Sequence, residues 1–505
     1  MRLKLAIGAI ALAAGLAAGP AQAQKSADTL RIVFRDAVTN IDPYYNQLRT
    51  GLVLAHQGWD TLVYRDPDTF GTKPLLATSW KIIDDKTIEF ELRRGVKFHN
   101  GDAFSADDVV YTLNLVSSPE GKIATPSNAN WIEKAEKLDD YKVRVTLRRP
   151  TPAAIEFFSL VIPIYPKAYR EKVGADAYAK APVGAGPYKI TKVDAGSVNF
   201  ERFDGYYADS PKGKPAISKL AVRFVPDAAT EMTELLAGRT DFIWNFNPDQ
   251  FDQINAMPTL QAMRQESMRV GFISPDAGGR SGADNPWTKV KVRQALFHAI
   301  DREQIAKQLV QGGSRVPPAP CFPTQFGCDA DAAVKYGYDP AKAKQLLAEA
   351  GYPNGFDTEL VTYVLPQWTA SVQSYLNAVG IRAKISQLQV QAVIQKNQKG
   401  ESPINMGSWG SYSINDVSAI MPVYFGGGLD DYARDPEVQA LVEKGGNTTD
   451  VAVRKAAYSQ AIKLATERAL WVPLHTYVTT YGLNKQLDFK TYADELPRFW
   501  LTKWK

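Results

Sequence analysis

The sequence contains few of the side chains that bind metals or act as nucleophiles. Its 505 residues include only two cysteines and four histidines. The histidines, at positions 56, 99, 298 and 475, lie far apart and form no cluster with metal-ligand spacing. The motifs G-x-S-x-G, H-E-x-x-H and G-x-x-x-x-G-K-[ST] are also missing. We therefore expect no metal, no other cofactor and no enzyme, although scattered acids leave a glycosidase pair open.

The sequence also lacks an excess of basic charge and, after its first residues, lacks long apolar runs. It has 59 Lys and Arg against 54 Asp and Glu, with no basic stripe, so we expect no nucleic-acid partner. The apolar run from Leu5 to Ala18 follows Arg2 and Lys4 and precedes an A-x-A site at 21–23. At about 14 residues it is too short to cross a bilayer comfortably, since that takes about 20.

Residues 1–23 are therefore predicted to be a cleaved signal peptide, with an uncleaved anchor as the alternative. No cysteine follows the cut, so the sequence indicates a soluble periplasmic protein and not a lipoprotein. The two cysteines, Cys321 and Cys328, stand in CFPTQFGC. In an oxidising compartment, this close spacing predicts a disulfide that closes a short loop, with two free thiols as the alternative.

The clearest secondary-structure pattern lies in the first quarter of the sequence. Apolar and polar residues alternate over 87–93, which predicts a half-buried strand. Turn-forming residues at 84–86 make 80–83 its partner strand in a hairpin. Further on, Ser105 and Asp108 fit a variant of the capping box that begins a helix.

The hairpin belongs to a longer and more specific string. It continues as Leu92-Arg93-Arg94-Gly95-Val96-Lys97-Phe98-His99-Asn100-Gly101, followed by Phe104 and Asp107-Asp108-Val109. This string closely resembles the signature of the family 5 extracellular solute-binding proteins, the peptide/nickel-type binding subunits of bacterial ABC importers. GAGPY at 184–188, the stretch 285–302 and the stretch 338–356 are similar to later motifs of that family.

The resemblance implies an α/β fold with two lobes, mixed sheets flanked by helices, and a hinge. Residues 24–267 would form an enlarged first lobe with an inserted subdomain, and residues 268–478 the second lobe. Residues 479–505 would return to the first lobe. The protein would be a monomer that closes on a small-molecule or oligopeptide ligand and delivers it to the membrane permease subunits of an importer.

Candidate ligand-binding residues come from three loops. In open α/β sheets ligands lie beyond strand ends, which points to the segment after the strand at 30–34. The segment after the strand at 241–244 resembles a pocket-facing loop of the family. A third segment follows a strand that ends in Trp409, which the resemblance places at the ligand. The predicted binding residues are Tyr44, Tyr45, Trp244, Asn245, Trp409, Tyr412, Asn415 and Asp416.

The third segment departs from the family's pattern. In peptide-binding members, an aspartate just after the tryptophan pairs with the α-amino group, and here that place holds Tyr412. Some dipeptide binders also carry an arginine before the next helix, where this sequence has Pro366-Gln367-Trp368. Peptides, modified amino-acid conjugates, oligosaccharides and metal chelates therefore all stay open as ligands. A secreted oligosaccharide-binding or glycan-active protein is the alternative function.

Overall fold

The computed structural model describes residues 28–46, 48–282 and 284–505, so the predicted signal peptide lies outside the described residues. In this part of the chain, the strands are β1 (Thr29–Phe34), β2 (Val63–Arg65), β3 (Thr72–Pro74), β4 (Ala77–Asp84), β5 (Thr87–Leu92), β6 (Ile132–Asp139), β7 (Lys142–Leu147), β8 (Tyr188–Asp194), β9 (Ser197–Arg202), β10 (Lys219–Phe224), β11 (Phe242–Trp244), β12 (Leu260–Pro275), β13 (Phe356–Thr362), β14 (Ile381–Gln387), β15 (Ile404–Trp409), β16 (Val472–Asn484), β17 (Leu487–Asp488) and β18 (Lys503–Trp504).

The α-helices of the same ranges are α1 (Arg49–Gly58), α2 (Ala106–Ser117), α3 (Ala154–Leu160), α4 (Lys167–Lys180), α5 (Ala228–Leu236), α6 (Phe251–Asn255), α7 (Val290–Ala299), α8 (Arg302–Gln304), α9 (Pro340–Glu349), α10 (Pro366–Ala378), α11 (Val390–Gln398), α12 (Met421–Phe425), α13 (Pro436–Gly446) and α14 (Val451–Glu467). None of the helices in the described residues combines the length and the apolar character that a membrane crossing requires.

A ten-stranded mixed sheet runs through the molecule. Its order is β14-β13-β15-β12-β16-β11-β1-β10-β9-β8, with β12 and β16 antiparallel at the centre. We call β11-β1-β10-β9-β8 the first half-sheet and β15-β13-β14 the second half-sheet. The predicted α/β class, with mixed sheets flanked by helices, is confirmed.

The two half-sheets meet at an irregularity in the central strand pair. β12 and β16 pair regularly up to Glu266 opposite Val478, and pairing resumes at Val270 opposite Thr476, with a further register shift between Gly271 and Phe272. On one side of this break β16 is flanked by β11, and on the other side β12 is flanked by β15. β12 itself continues through the break, from Leu260 to Pro275. The lobe boundaries predicted at 267 and 478 lie at the break and stay a prediction.

Each half-sheet has its own apolar core. Phe34 and Phe90 belong to the core of the first half, and Leu296 and Leu360 belong to a core of the second half. Ile414, which follows β15 of the second half-sheet, nevertheless packs into the first core. The segment after β15 therefore joins the two halves.

The predicted hairpin forms β4 and β5 of a separate four-stranded sheet with order β4-β5-β7-β6. Alternating residues of β5, from Ile88 to Leu92, are buried as the pattern predicted. The capping box at the start of α2 is also confirmed, since Ser105 and Asp108 exchange both hydrogen bonds. In the second half, β13, α10 and β14 form a parallel β–α–β unit.

His99 links two of the sequence motifs. Its backbone N–H donates to Gly184 O at 2.9 Å, and its Nε2 donates to Gly186 O at 2.9 Å. The Gly184 N–H in turn donates to Nδ1 at 3.2 Å. The His99 imidazole is therefore neutral and uses both ring nitrogens in hydrogen bonds. Burial favours this neutral form and lowers the pKa of His99 to about 4. The glycines are required because a Cβ at Gly184 would lie 2.1 Å from Gly58 O.

Candidate functional site

A left-handed turn follows β15 where the two half-sheets meet. Three consecutive non-glycine residues have positive φ, namely Ser411 at 50°, Tyr412 at 50° and Ser413 at 64°. Such conformations cost free energy, persist only where neighbouring contacts enforce them, and concentrate at functional sites. The Ser413 N–H closes the turn by donating to Gly410 O at 2.7 Å. Serine and tyrosine carry no glycine-like signal, so the sequence did not reveal this turn.

The turn places Tyr412 beside two other aromatic side chains. The rings of Trp409 and Tyr412 meet edge to face with centroids 5.0 Å apart, and Trp409 and Tyr424 do so at 6.1 Å. Trp409 is fixed because its indole N–H donates to Ala419 O at 2.9 Å. We call Trp409, Tyr412 and Tyr424 the aromatic wall. Trp409 and Tyr412 are only partly buried, so they offer ring surface to a ligand.

Ser413 connects the turn to the first half of the molecule. Arg49 of α1 donates to Ser413 Oγ at 2.6 Å, and that hydroxyl donates to Asp494 O at 2.6 Å. Arg65 of β2 donates to Ser413 O. The hydroxyl and carbonyl of one serine are therefore engaged by groups from three separate segments of the chain.

Behind this contact lies a buried charge network. Asp494 accepts from Arg65 at 2.8 Å and from Arg498 at 2.6 Å. Burial alone would raise the pKa of the Asp494 carboxyl, but the two guanidinium groups outweigh burial and hold it well below its usual value. Arg65 also bonds Glu156 at 3.0 Å, and Glu156 accepts from the backbone N–H of Asn415 at 3.3 Å. The network thus fixes the segment after β15 from the opposite side.

A second charge cluster lies at the break between the half-sheets. Arg269 bonds Glu495 through Nε at 3.2 Å and Nη2 at 3.0 Å, while Ser267 Oγ donates to the same carboxylate at 2.9 Å. Arg49 approaches Glu495 at 3.4 Å. Burial opposes ionisation of Glu495, but Arg269 and Arg49 hold the pKa of its carboxyl below the usual value. One carboxylate is therefore shared by two arginines.

A second group of ring-bearing side chains packs together. Trp368, His475 and Tyr477 form a triangle with ring centroids 4.9 to 5.2 Å apart. The Nδ1–H of His475 donates to Thr476 O at 3.1 Å, and burial lowers the pKa of His475 to about 4. Within the described residues, Trp368 Nε1 and His475 Nε2 are buried without a hydrogen-bond partner. They are free to bond a solute group or a water.

The disulfide supports the segment that carries the turn. Cys321 and Cys328 are bonded, as predicted. Within the loop that they close, the Phe326 N–H donates to Asn415 O at 3.0 Å and Phe326 O accepts from the Val417 N–H at 3.0 Å. The closed loop therefore holds the segment after β15 on the side away from the first half-sheet.

Two predicted polar contacts of this segment have different surroundings. Asp416 is buried and accepts both a 2.7 Å and a 2.9 Å hydrogen bond from Arg454. The same carboxylate accepts from the Ser418 N–H at 2.9 Å, so its oxygens are occupied by the protein. Asn415 Oδ1 is buried without a partner in the described residues, which leaves it available to a solute.

The four remaining predicted residues lie on the first half. Tyr44 is buried and its hydroxyl donates to Pro163 O at 2.6 Å, while the Tyr45 hydroxyl donates to Gly121 O at 2.8 Å. Trp244 is buried against Phe34 with ring centroids 5.2 Å apart. Asn245 is exposed and has a positive φ of 55°. Tyr44, Tyr45 and Trp244 therefore have structural partners, and the Asn245 backbone N–H donates to Thr480 O at 2.7 Å.

Sequence reasoning missed the arginines and acids of the site. Arg49, Arg65, Arg269, Asp494 and Glu495 come from four distant segments, and each has an ordinary local sequence. Arg269 stands in the otherwise apolar strand segment 268–274, and that burial of a charge in an apolar strand is the signal that was available.

Comparison with known proteins identifies the family. The model of the bacterial extracellular solute-binding proteins, family 5, matches residues 71–431. Heme-binding protein A of Haemophilus influenzae is 28% identical over 459 residues, which cover 83% of this chain and 82% of that protein. Glutathione-binding protein GsiB of Salmonella choleraesuis is 27% identical over 490 residues, which cover 93% of this chain and 92% of that protein.

The chain belongs to this family. Solved structures agree with the assignment. The Agrobacterium protein AgaA in complex with agropinic acid is 27% identical, has a TM-score of 0.79, and the match covers 94% of this chain and 99% of that chain. HbpA2 of Haemophilus parasuis is 26% identical with a TM-score of 0.79 and coverage of 94% and 100%. The fold is thus that of a periplasmic binding protein. The chain is a solute-binding subunit of an ABC importer and not an enzyme.

Proposed function

We propose that this protein captures a small organic solute in the periplasm, between two lobes that close by a hinge at the break in β12 and β16. The closed form would dock on the membrane permease subunits of the importer, and the protein would act as a monomer. The observation that supports this proposal is the meeting of groups from both half-sheets at one place. The turn at 411–413, the aromatic wall and the Arg49–Glu495–Arg269 cluster all lie there.

The side chains around the turn at 411–413 are suited to binding a small solute. Ligand sites combine apolar and aromatic walls with a few polar groups that fix orientation. Here the rings of Trp409 and Tyr412 supply the wall, and Asn415 supplies a free carbonyl oxygen. The relatives include a heme-binding protein, a glutathione-binding protein and a protein in complex with agropinic acid, which supports an organic solute for this chain as well.

The remaining predicted residues keep a smaller role in this proposal. Asp416 would orient the turn through Arg454 and would not contact the solute directly. Tyr44, Tyr45 and Trp244 would support the first half, because their hydroxyls or rings already have protein partners.

A thermal-shift screen of the purified protein tests the proposal. The panel contains peptides, opines, glutathione, heme, oligosaccharides and metal chelates. A solute present at 100 times its dissociation constant adds about 2.7 kcal/mol to the stability of the folded state, which is readily detected. We expect a hit that binds with one solute per chain and reduces the radius of gyration in solution scattering. A panel without any hit, or a hit that leaves the scattering unchanged, contradicts hinge capture.

Oligosaccharides stay in the panel because the aromatic wall is also suited to stacking against sugar rings. Binding of a labelled oligosaccharide without turnover would assign that solute class to this protein. Turnover would contradict the carrier function.

A further inference from the structure

We propose, on the basis of the proposed function, that Arg49 and Arg269 converge to bind a carboxylate of the solute, so that the transported compound is an organic acid. Glu495 would hold the two guanidinium groups in position before the solute arrives. The two arginines lie on different halves of the molecule, since Arg49 begins α1 and Arg269 stands at the break in β12.

The two guanidinium groups point to one place beside the aromatic wall. Arg49 Nη2 and Arg269 Nη2 lie 3.4 Å and 3.0 Å from the same oxygen, Oε2 of Glu495. Both nitrogens are also 3.1 Å from the position that a Cβ would take at Gly410. Gly410 therefore leaves room for them directly next to Tyr412.

The arginines of this region divide into two kinds by exposure. The side chains of Arg65 and Arg498 are 1% and 4% exposed and saturate Asp494, so they are structural. The side chains of Arg49 and Arg269 are 16% and 26% exposed. Of these two pairs, only the second has side-chain surface that a solute can reach.

The second pair also retains unused donors. Arg49 Nη1 bonds Ser413 Oγ, and among the described residues Arg49 Nη2 has only the 3.4 Å approach to Glu495. Arg269 Nη1 has a long contact of 3.4 Å to Ser408 Oγ. A guanidinium group carries five N–H donors in a planar fork that matches a carboxylate. The free donors therefore suit a planar, singly charged acid group.

The charges of the region favour the same solute class. Arg49, Arg65, Arg269 and Arg498 face the three carboxylates of Glu156, Asp494 and Glu495, which leaves one positive charge in excess. Asp430, the next acid near the aromatic wall, has its own pKa raised by burial. Partly buried charge without a partner is unfavourable. Burial is the largest effect on the pKa of Arg49 and lowers it, while Glu495 raises it and Arg269 lowers it again. A solute anion would therefore reduce the repulsion between the two arginines.

Matched pairs of acids and amides test the proposal on the full protein. The probes are glutathione, agropinic acid, glutarate and N-acetyl-L-phenylalanine, each compared with its carboxamide by thermal shift and titration calorimetry. At least one acid should bind, and its amide should bind about 10- to 100-fold more weakly, because a charge-assisted hydrogen bond is lost. Amides that bind as well as the acids, or a set of acids that does not bind, would overturn it.

Substitutions identify the site. Arg49→Gln should reduce the preference for acid over amide about 10-fold or more, because Glu495 stays paired with Arg269 while the second guanidinium is lost. Arg144→Gln is the matched control, since it removes a guanidinium from an exposed pair with Glu89 on the four-stranded sheet. It should leave the preference unchanged. An unchanged preference in Arg49→Gln overturns the proposal.

Glu495→Gln gives a second and opposite signal. Glutamine keeps a side-chain oxygen that can still accept from the two guanidinium groups, but it removes the negative charge that competes with the solute carboxylate. Acid binding should therefore strengthen several-fold, whereas a purely structural ion pair predicts no gain. If Glu495→Gln does not fold, the Arg49→Gln result decides. Binding of neutral peptides or sugars, with no preference for acids, would overturn the acid proposal but keep the solute-binding function. Failure of every compound in both panels would overturn the proposed function itself.

Discussion

The left-handed turn makes a stability prediction that runs against the usual effect of a substitution. Ser411 has a φ of 50° and is buried, and within the described residues its Oγ has no hydrogen-bond partner. Ser411→Gly removes both unfavourable features. We expect the variant to be more stable than the wild type and to bind its solute more weakly.

The magnitude follows from three contributions. A non-glycine residue in the left-handed region costs about 1–2 kcal/mol, which glycine avoids. About 0.4–1 kcal/mol of that gain is lost, because the glycine makes the unfolded chain more flexible and so raises the entropy cost of folding. A buried hydroxyl without a partner costs about 1–3 kcal/mol, and its removal relieves that cost. The balance predicts a gain of about 2 kcal/mol in the free energy of unfolding.

Urea unfolding of Ser411→Gly and Ser411→Ala separates the contributions. The alanine variant removes the hydroxyl but keeps the strained φ, so its gain should be smaller than that of the glycine variant. Solute affinity should fall in the glycine variant, because a relaxed turn no longer holds Tyr412 against Trp409 before binding. A glycine variant that is less stable than the wild type, or no more stable than the alanine variant, would refute the claim that this turn stores strain.

Three further predictions concern the pH response, the buried ion pair and the aromatic wall. The unfolded chain protonates His99 near pH 6.5 and the folded chain only near pH 4, so this residue makes the wild type lose up to about 3 kcal/mol of stability as the pH falls between those values. The difference in unfolding free energy between wild type and His99→Gln, followed by denaturant titration from pH 7 to pH 4, should therefore shrink as the pH falls. Arg454→Met should lower the free energy of unfolding by about 3–5 kcal/mol, because it leaves Asp416 buried without its partner, and thermal unfolding measures this loss. Trp409→Ala should abolish solute binding in calorimetry but lower stability by only about 2 kcal/mol, since the indole is partly buried.

Each of these three predictions has a result that would contradict it. A pH-independent difference between wild type and His99→Gln would mean that the imidazole is not kept neutral. A loss in Arg454→Met below about 1 kcal/mol would mean that Asp416 remains solvated. Trp409→Phe, which keeps an aromatic ring, should retain part of the affinity that Trp409→Ala loses, and equal affinity in both would remove this ring from the site.

Local pattern was sufficient to predict the parts of the fold that depend on few neighbours. The alternation of β5 and the capping box of α2 are decided by residues close in sequence, and both are confirmed. The disulfide between Cys321 and Cys328 was likewise predicted from its spacing and the expected compartment. Strand bounds depend on more distant residues: β12 begins at Leu260 and runs through the predicted lobe boundary at 267, because pairing with β16 extends it.

The candidate site was harder to predict because its chemistry is assembled from distant segments. Arg49 and Glu495 stand almost at opposite ends of the chain and meet only through the fold. The sequence identified the aromatic residues at strand ends, but it did not show which of them are buried. Burial decides whether such a ring faces a ligand or a core. Trp244 and Trp409 both follow this pattern in sequence, yet Trp244 is buried against Phe34 and Trp409 is partly exposed.

Equilibrium dialysis with mass spectrometric recovery of the solute tests the central claim most directly. The claim is that the two halves of the molecule hold a solute at the aromatic wall without changing it. For a hit from the screen, the account predicts one solute bound per chain, recovery of the unaltered compound after denaturation, and no retention by Trp409→Ala. Recovery of a product, or equal retention by wild type and Trp409→Ala, would contradict it.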